Sequence, residues 1–580
     1  MMSWPPVSAA LGLPHVWVGR RTYTIVDAAF GEGHLFLSVW DAWRRDPHRS
    51  RRLHVVGLLP GLGDSQALRA RLLQTCPAGM ESCVQQLADA WPLNLLGVHR
   101  LEFEGLCVTL TLGVGQPSTM LQRLSVRADA VVLPASLRFY PHEEIEVMLG
   151  TATKVLLPQG KLVMPWLSAS GAPGPFDDRT SALWAQGSVR DGVWSRVVQA
   201  APLTSPVQRE GHQHAVVVGG GFAGAGVAYA LSLRGWTVKV LEASGGQQGS
   251  HKGHLAAALT PMLTRDDDVR ARLSRAGTLR AHHRWGHLTA EAFDPCGALQ
   301  LSRTSGRVVD LEGVVAGLNL PQGWARFVDA KEASAIAGLT LQRGGIHFPM
   351  AVRVQPEAFI NQLVSGVEIS RRTARVDRLL RLGNVWQVLD AAGQVLEEAP
   401  IVIIAAACAT QDILGASGLL AEDARLRMMH QLGGEITYVP AGAISGGPRC
   451  IVSGDGYVLP AVSGQCVTGS SYLHGADQVV VTSAGARENM QRTDGLLGSR
   501  LVEACLEDRA ANGWAGWRAV LPGRLPAIGA VDEEQTLWAV AGLASRGLTW
   551  SSLAGDLVAA TLNGEPSPLE TDIIDKISQI

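Results

Sequence analysis

The chain has 580 residues, of which 47% are hydrophobic and 18% charged, with a formal net charge of −2. The length exceeds what one hydrophobic core usually serves, so more than one domain is expected, and the composition is that of an ordinary globular protein. A near-neutral chain is not drawn to nucleic acid or acidic membrane by its overall charge.

The N-terminus, MMSWPPVSAALGLP, carries neither a basic n-region nor a long apolar run. No secretory signal is expected, which points to the cytoplasm. Residues 23–30 begin as a strand and run into Gly31-Glu32-Gly33, followed by a helix to about Trp43. Arg44, Arg45, Arg49, Arg51 and Arg52 then crowd nine residues, a pattern of a solvated loop or of a phosphate contact. Leu53–Leu59 reads as a second strand, Ser65–Leu73 and Glu81–Ala90 as helices, and Arg100–Leu112 as paired strands. Ala128–Leu133 is a further buried strand, His142–Leu149 a helix, and residues 156–164 read as strand, turn, strand. Strands alternating with helices predict a doubly wound α/β domain.

Glycine, proline and polar residues interrupt the pattern from Ser168 to His214, and a linker is expected at 206–213. Ala215–Val218 then forms an apolar strand leading into Gly219-Gly220-Gly221-Phe222-Ala223-Gly224 and a helix to about Arg234. A second strand, Trp236–Leu241, ends on Glu242. Gly219, Gly221 and Gly224 have the G-x-G-x-x-G spacing that permits a tight turn, lets backbone approach a pyrophosphate, and packs helix on strand. The helix N-terminus offers unpaired N–H groups to the phosphates, and Glu242 stands where a ribose is bound. Residues 215–233 carry no charge, but the glycine cluster after a four-residue strand fits a nucleotide turn better than a membrane span.

One such fingerprint, with Gly297–Val439 supplying much of a separate sheet, suggests a flavoenzyme that takes electrons from its substrate directly. Ile401–Ala407 is expected to return to the nucleotide sheet. Leu537–Gly542 reads as a strand, followed by a turn and a helix over Thr549–Leu562 whose N-terminus is aimed at the flavin. The eight cysteines make no C-x-x-C pair and no zinc-like cluster, so they read as reduced core thiols.

The blocks GGGFAG (219–224), KGHLAAALTP (252–261), CGALQL (296–301), GGIHFP (344–349), GDGYVLPA (454–461), WRAVLPGRLPAIG (517–529), GLASRGLTWSSLAGDL (542–557) and GEPSPLE (564–570) carry a resemblance. The second domain resembles the glycine/D-amino-acid oxidase class of flavoproteins. More narrowly, it resembles the oxidoreductase half of the bifunctional tRNA 5-methylaminomethyl-2-thiouridine biosynthesis family. That resemblance implies FAD, contacted also by Gly253, His254, Gly547 and Leu548. It implies oxidation of a carboxymethylaminomethyl group on the tRNA wobble uridine, with Arg518 and Arg546 on the substrate carboxylate and Tyr457 in the wall.

Within an expected first domain of 1–205, residues 23–164 resemble the methyltransferase half of the same family, which implies S-adenosylmethionine as methyl donor at Asp27, Gly31 and Gly33. The chain departs from that pattern in two places. Leu58 and Leu59 stand where a ribose-binding acid is usual, and Leu133-Pro134-Ala135 aligns with the Asp-Gly-Phe catalytic stretch. The fold is therefore expected, with weakened methyl transfer. The leading expectation is a monomeric, two-domain tRNA-modifying enzyme (1–205 and 214–580). An alternative is an oxidase of a free small amino acid with a non-catalytic first domain. A third reading makes the first domain a tRNA-presenting module.

Overall fold

A computed structural model describes residues 5–139, 142–165, 187–191, 193–198, 213–243, 251–303, 309–505 and 512–580. The chain forms two compact units: residues 1–209 with 560–572, and residues 210–559 with 573–580. Most of the expected linker, 206–212, lies outside the described residues.

The first unit is built on eight strands: β1 (Thr22–Asp27), β2 (Arg52–Leu59), β3 (Gly97–Phe103), β4 (Val108–Val114), β5 (Ala128–Val132), β6 (Leu156–Pro165), β7 (Ser188–Arg190) and β8 (Val193–Val197). Their order is β3-β4-β2-β1-β5-β6-β8-β7. β1 pairs in parallel with both β2 and β5, so the chain leaves the two strands flanking β1 in opposite directions. This switch point puts a crevice beyond the carboxyl end of β1. Successive residues of β1 feed two separate cores. Ile25 packs with Phe36, Trp40 and Phe103, whereas Val26 packs with Met120, Leu121 and Met148. Continuous apolar strands are what such two-sided burial requires.

One expectation is corrected here. Residues 156–164 are a single strand, not strand, turn, strand. Its register against β5 jumps from Ala128–Leu156 to Ala130–Lys161, and the extra residues bulge at Gln159, where φ is +65°. The segment 560–572 belongs to this unit. The Glu565 carboxylate pairs with Arg52 at 3.2 Å and Arg100 at 3.4 Å, and Arg100 also donates to the Pro566 carbonyl.

In the second unit a six-stranded sheet contains β9 (His214–Val218), β10 (Thr237–Glu242), β11 (Ile369–Thr373), β12 (Ile401–Ile404), β13 (Ala527–Ala530) and β14 (Leu537–Ala541). The order is β11-β10-β9-β12-β14-β13, parallel except for the β13–β14 hairpin. The return of Ile401–Ile404 to β9 is as expected. The separate sheet draws on more of the chain than Gly297–Val439. It has eight strands and also takes Ile451–Ser453, Tyr457–Val458, Gln465–Gly469 and Gly513–Val520. No helix among the described residues is long and apolar enough to cross a membrane.

Three helices pack behind the nucleotide sheet's glycine turn: α1 (Phe222–Ser232), α2 (Val269–Trp285) and α3 (Gly547–Asn563). They touch backbone to backbone. A Cβ at Gly226 would lie 2.7 Å from the Ser551 carbonyl oxygen, and one at Gly277 would overlap the Thr549 carbonyl. Asp556 of α3 is fully buried and pairs with Arg234, Arg280 and Arg284. Burial alone would raise its pKa, but the guanidiniums of Arg280, Arg284 and Arg234 prevail and hold it well below the usual carboxylate range.

Asp556→Ala is expected to cost about 3–5 kcal/mol, because it leaves buried guanidiniums without their carboxylate. The denaturant midpoint of the second unit reads this loss. In the wild type the contribution should be complete above the ordinary carboxylate range and disappear only as pH falls through the depressed folded value. A midpoint unchanged in Asp556→Ala would contradict both statements.

Candidate active site

β9 ends at Val218 and the chain turns on Gly219, whose φ of +102° suits glycine. A Cβ there would overlap the Ala405 carbonyl, and one at Gly224 would overlap the Gly219 carbonyl. Gly221 differs: a Cβ there meets nothing within 4 Å. Gly219 and Gly224 therefore serve the fold, while Gly221 opens onto free space. No side chain caps the N-terminus of α1, so its first N–H groups face that space. Glu242 closes β10, and its Oε2 accepts the Gly220 N–H at 2.5 Å. An uncapped helix N-terminus, open space above Gly221 and an adjacent carboxylate fit a dinucleotide.

A column of rings lies beside this turn. Phe222 stacks on His251 at 4.1 Å, and His254 stacks on Trp514 at 4.2 Å. The two imidazole Nδ1 atoms are 3.2 Å apart. Burial pushes His251 down to about 4 and His254 well below its ordinary value, so both are neutral at pH 7. Tyr438 fixes the intervening loop by donating to the Gly253 carbonyl at 2.5 Å and accepting from the Leu255 N–H at 3.1 Å. Gly547 starts α3, where a Cβ would meet the Phe222 ring at 3.3 Å, and Leu548 beside it is buried. The structure thus brings Gly253, His254 and Gly547 to the neighbourhood of the glycine turn. The helix begins two residues before the expected Thr549.

Of the residues expected on the substrate side, Tyr457 and Arg546 line a cavity of about 300 Å³ together with Thr260, Ser470 and Tyr472, whereas Arg518 is not in the lining and reaches it through Ser470 and Tyr472. Arg546 Nη1 donates to the Thr260 carbonyl at 2.6 Å. Arg518 donates to Ser470 Oγ at 3.3 Å, and its guanidinium lies 5.1 Å from the centre of the Tyr472 ring. Among the described residues neither arginine has a carboxylate within ion-pair distance. Burial lowers the Arg546 pKa, an effect that Tyr472 opposes. Burial also pushes the Tyr457 phenol up to about 12, against the pull of Arg518, so it stays a neutral donor. Ser470, Tyr472, Tyr438, His251 and Trp514 carry no motif signal in the sequence. Only proximity reveals them.

In the first unit, Asp27 ends β1, fully buried. Its Oδ1 accepts the Ala29 N–H at 3.0 Å, while Oδ2 has no partner. Burial pushes its pKa up to about 7 despite that hydrogen bond. Gly31 and Gly33 both have positive φ, at 57° and 88°, and Gly33 caps the following helix, His34–Arg45. These three residues therefore share one turn at the switch point. The other acids do not join them. Glu32 is paired with Arg71, and Leu58 and Leu59 are buried at the end of β2. The orphaned Asp27 oxygen suits a cation such as the donor's ammonium group, but β2 offers no ribose acceptor. Four members of the basic run are occupied as well. Arg44 and Arg45 pair with Asp41, Arg52 with Glu565, and Arg49 lies 4.4 Å from the centre of the Trp43 ring.

Residues 214–561 match the FAD dependent oxidoreductase family (DAO), to which this region belongs. The fold is shared with iminodiacetate oxidase from Chelativorans sp. BNC1, at TM-score 0.50 and 23% identity, covering 63% of this chain and 98% of that one. Glycine oxidase from Geobacillus kaustophilus is similar at TM-score 0.50 and 18% identity, covering 63% and 99%. Nearly the whole chain is similar to the tRNA 5-methylaminomethyl-2-thiouridine biosynthesis bifunctional protein MnmC of Cupriavidus metallidurans, 33% identical over 98% of this chain and 89% of the relative. The MnmC of Azoarcus sp. (strain BH72) is 34% identical over 98% and 91%. The chain belongs to this bifunctional MnmC family.

The glycine geometry separates two outcomes. Gly221→Val is expected to fold and to purify without flavin, because its side chain enters only the open space above the turn. Gly224→Val should lose the fold itself. Absorbance near the flavin bands, read beside circular dichroism, checks both, and a folded Gly221→Val that retains stoichiometric flavin would contradict the assignment.

Proposed function

We propose that the second half, residues 214–580, oxidises the carboxymethylaminomethyl group of the tRNA wobble uridine to an aminomethyl group. The FAD would lie over Gly219, Gly221 and Gly224, with Glu242 on its ribose. The observation that supports this reading is the pair Arg518 and Arg546, two cations without carboxylate partners among the described residues, beside one small cavity. A substrate carboxylate supplies the missing anion, and a guanidinium binds it through two parallel hydrogen bonds that fix orientation as well as charge.

When bound, FAD supplies a hydride acceptor for the carbon between amine and carboxylate. The chain's own residues hold that carbon in place. Arg518 and Arg546 anchor the carboxylate, and Tyr457, neutral across the physiological range, offers a hydrogen bond from the wall. The N-termini of α1 and α3 favour negative charge nearby. The imine left on the substrate is hydrolysed by water, which releases glyoxylate and leaves the aminomethyl group on uridine. A tRNA substrate supports a cytoplasmic location.

We propose further that the first half, 1–205, keeps the methyltransferase fold but methylates the aminomethyl product poorly. Asp27 would serve the ammonium of S-adenosylmethionine from the turn of Gly31 and Gly33. The missing ribose acceptor costs roughly 1.5–3 kcal/mol, or one to two decades of affinity. Pro134 supplies no carboxylate to orient the amine.

Arg518→Lys and Arg546→Lys should each slow flavin reduction by carboxymethylaminomethyl-tRNA about tenfold or more with FAD content unchanged, since charge survives but the fork does not. Normal rates in both would remove them from the site. Rapid reduction by glycine or sarcosine together with indifference to tRNA would favour a free-amino-acid oxidase.

For the first half, nucleosides from tRNA incubated with the full-length protein and S-adenosylmethionine should show the aminomethyl form accumulating. Donor affinity should fall as pH drops below about 7, where a proton occupies Asp27 in place of the ammonium. Asp27→Asn should flatten that dependence. Complete methylation over many turnovers would overturn the assignment of poor transfer.

A further inference from the structure

The substrate cavity does not stand alone. A larger cavity, about 730 Å³, shares Gln300 and Arg303 with it. The inner cavity, about 300 Å³, is at the small end of ligand sites and suffices for an amino-acid-sized arm. A free amino acid would need nothing beyond it. The larger cavity, called outer only because it lies beyond Arg303 from Arg546, is more than twice as large, and its wall carries six charged side chains.

Those charges divide by what they already do. Asp268 Oδ2 accepts from Arg270 Nε and Nη2 at 3.0 and 2.8 Å, while its Oδ1 caps α2 through the N–H groups of Arg270 and Ala271. Asp310 caps the helix Leu311–Leu318 through the Gly313 N–H at 2.9 Å. Arg265 and Arg303 are exposed, and among the described residues neither makes an ion pair or side-chain hydrogen bond. Asp266 is the remaining acid of the lining. The lining is balanced in formal charge, three arginines against three aspartates, but Arg265 and Arg303 are the two guanidiniums in it that no partner among the described residues engages.

We propose that Arg265 and Arg303 bind phosphodiester groups of the RNA strand on either side of the modified nucleotide, and so select a polynucleotide-borne amine over a free amino acid. This rests on the tRNA reading above. Arg303 lines both cavities, so a strand whose base inserts its arm into the inner cavity passes this residue. Arg265 lines the outer cavity alone, where the flanking backbone has room. A planar guanidinium matches the phosphate oxygens in two-point contact, and its charge makes the contact salt-dependent.

The test uses the full-length, flavin-loaded protein with Arg265→Ala, Arg303→Ala, the double alanine variant and the two lysine variants. Flavin reduction is followed with carboxymethylaminomethyl-tRNA and, separately, with the free carboxymethylaminomethyluridine nucleoside. The ratio of kcat/KM for tRNA to that for the nucleoside should fall about tenfold per alanine, with partial recovery in lysine. The slope of log affinity for tRNA against log salt should shrink by about 0.7 for each arginine removed. A ratio within twofold of wild type, or an equal loss on both substrates, would overturn the proposal. Wild-type flavin that the nucleoside reduces and tRNA leaves oxidised would overturn the tRNA reading as well.

Discussion

One carboxylate holds the second unit's site together from behind. Asp556 lies on α3 and gathers Arg234 at the end of α1 with Arg280 and Arg284 on α2. Its three contacts span 322, 276 and 272 residues of sequence. The Gly226 and Gly277 approaches let the helices come close enough for this pairing. α1 begins at the glycine turn, and α3 begins immediately after Arg546. The hub therefore fixes, at a distance, where the two positive helix ends and Arg546 stand.

The same residue type does opposite work in two parts of this unit, and the surroundings decide which. Arg234, Arg280 and Arg284 are buried against an acid, and their charge is consumed in joining helices. Arg518 and Arg546 are held by carbonyl and hydroxyl oxygens, which orient a guanidinium without neutralising it. A cation oriented but left charged is prepared for an anion that comes from outside. Arginine counts alone could not draw this distinction.

Local features were legible in the chain's text. The G-x-G-x-x-G turn, Glu242 and the return of Ile401–Ile404 follow from short-range pattern, and the strands of 22–132 follow from continuous apolar runs and, over Arg100–Leu112, from alternation. What stayed hidden depends on distance. Tyr472 and Ser470 meet Arg518 only because Gly513–Val520 pairs beside His430–Pro440 and carries Arg518 onto them. The bulge at Gln159 resembles a turn in sequence because a local reversal of φ has the same composition whether the strand ends or merely swells. Glu32, which by position could have served the first unit's turn, is occupied by Arg71 from a helix 39 residues away.

The path of the chain between its compact units has a consequence for how this polypeptide can be divided. It leaves the first unit after Arg209, re-enters it at Ala560, and departs again after Asp572. A single break at the interdomain stretch would yield two genes' worth of sequence but not two complete bodies. The N-terminal product would lack Glu565, and with it the carboxylate beside Arg52 and Arg100. Fusion in this protein is thus more than tethering, because residues 560–572 of the oxidoreductase half are structural parts of the first unit. A split that preserves both bodies would have to supply residues 560–572 a second time.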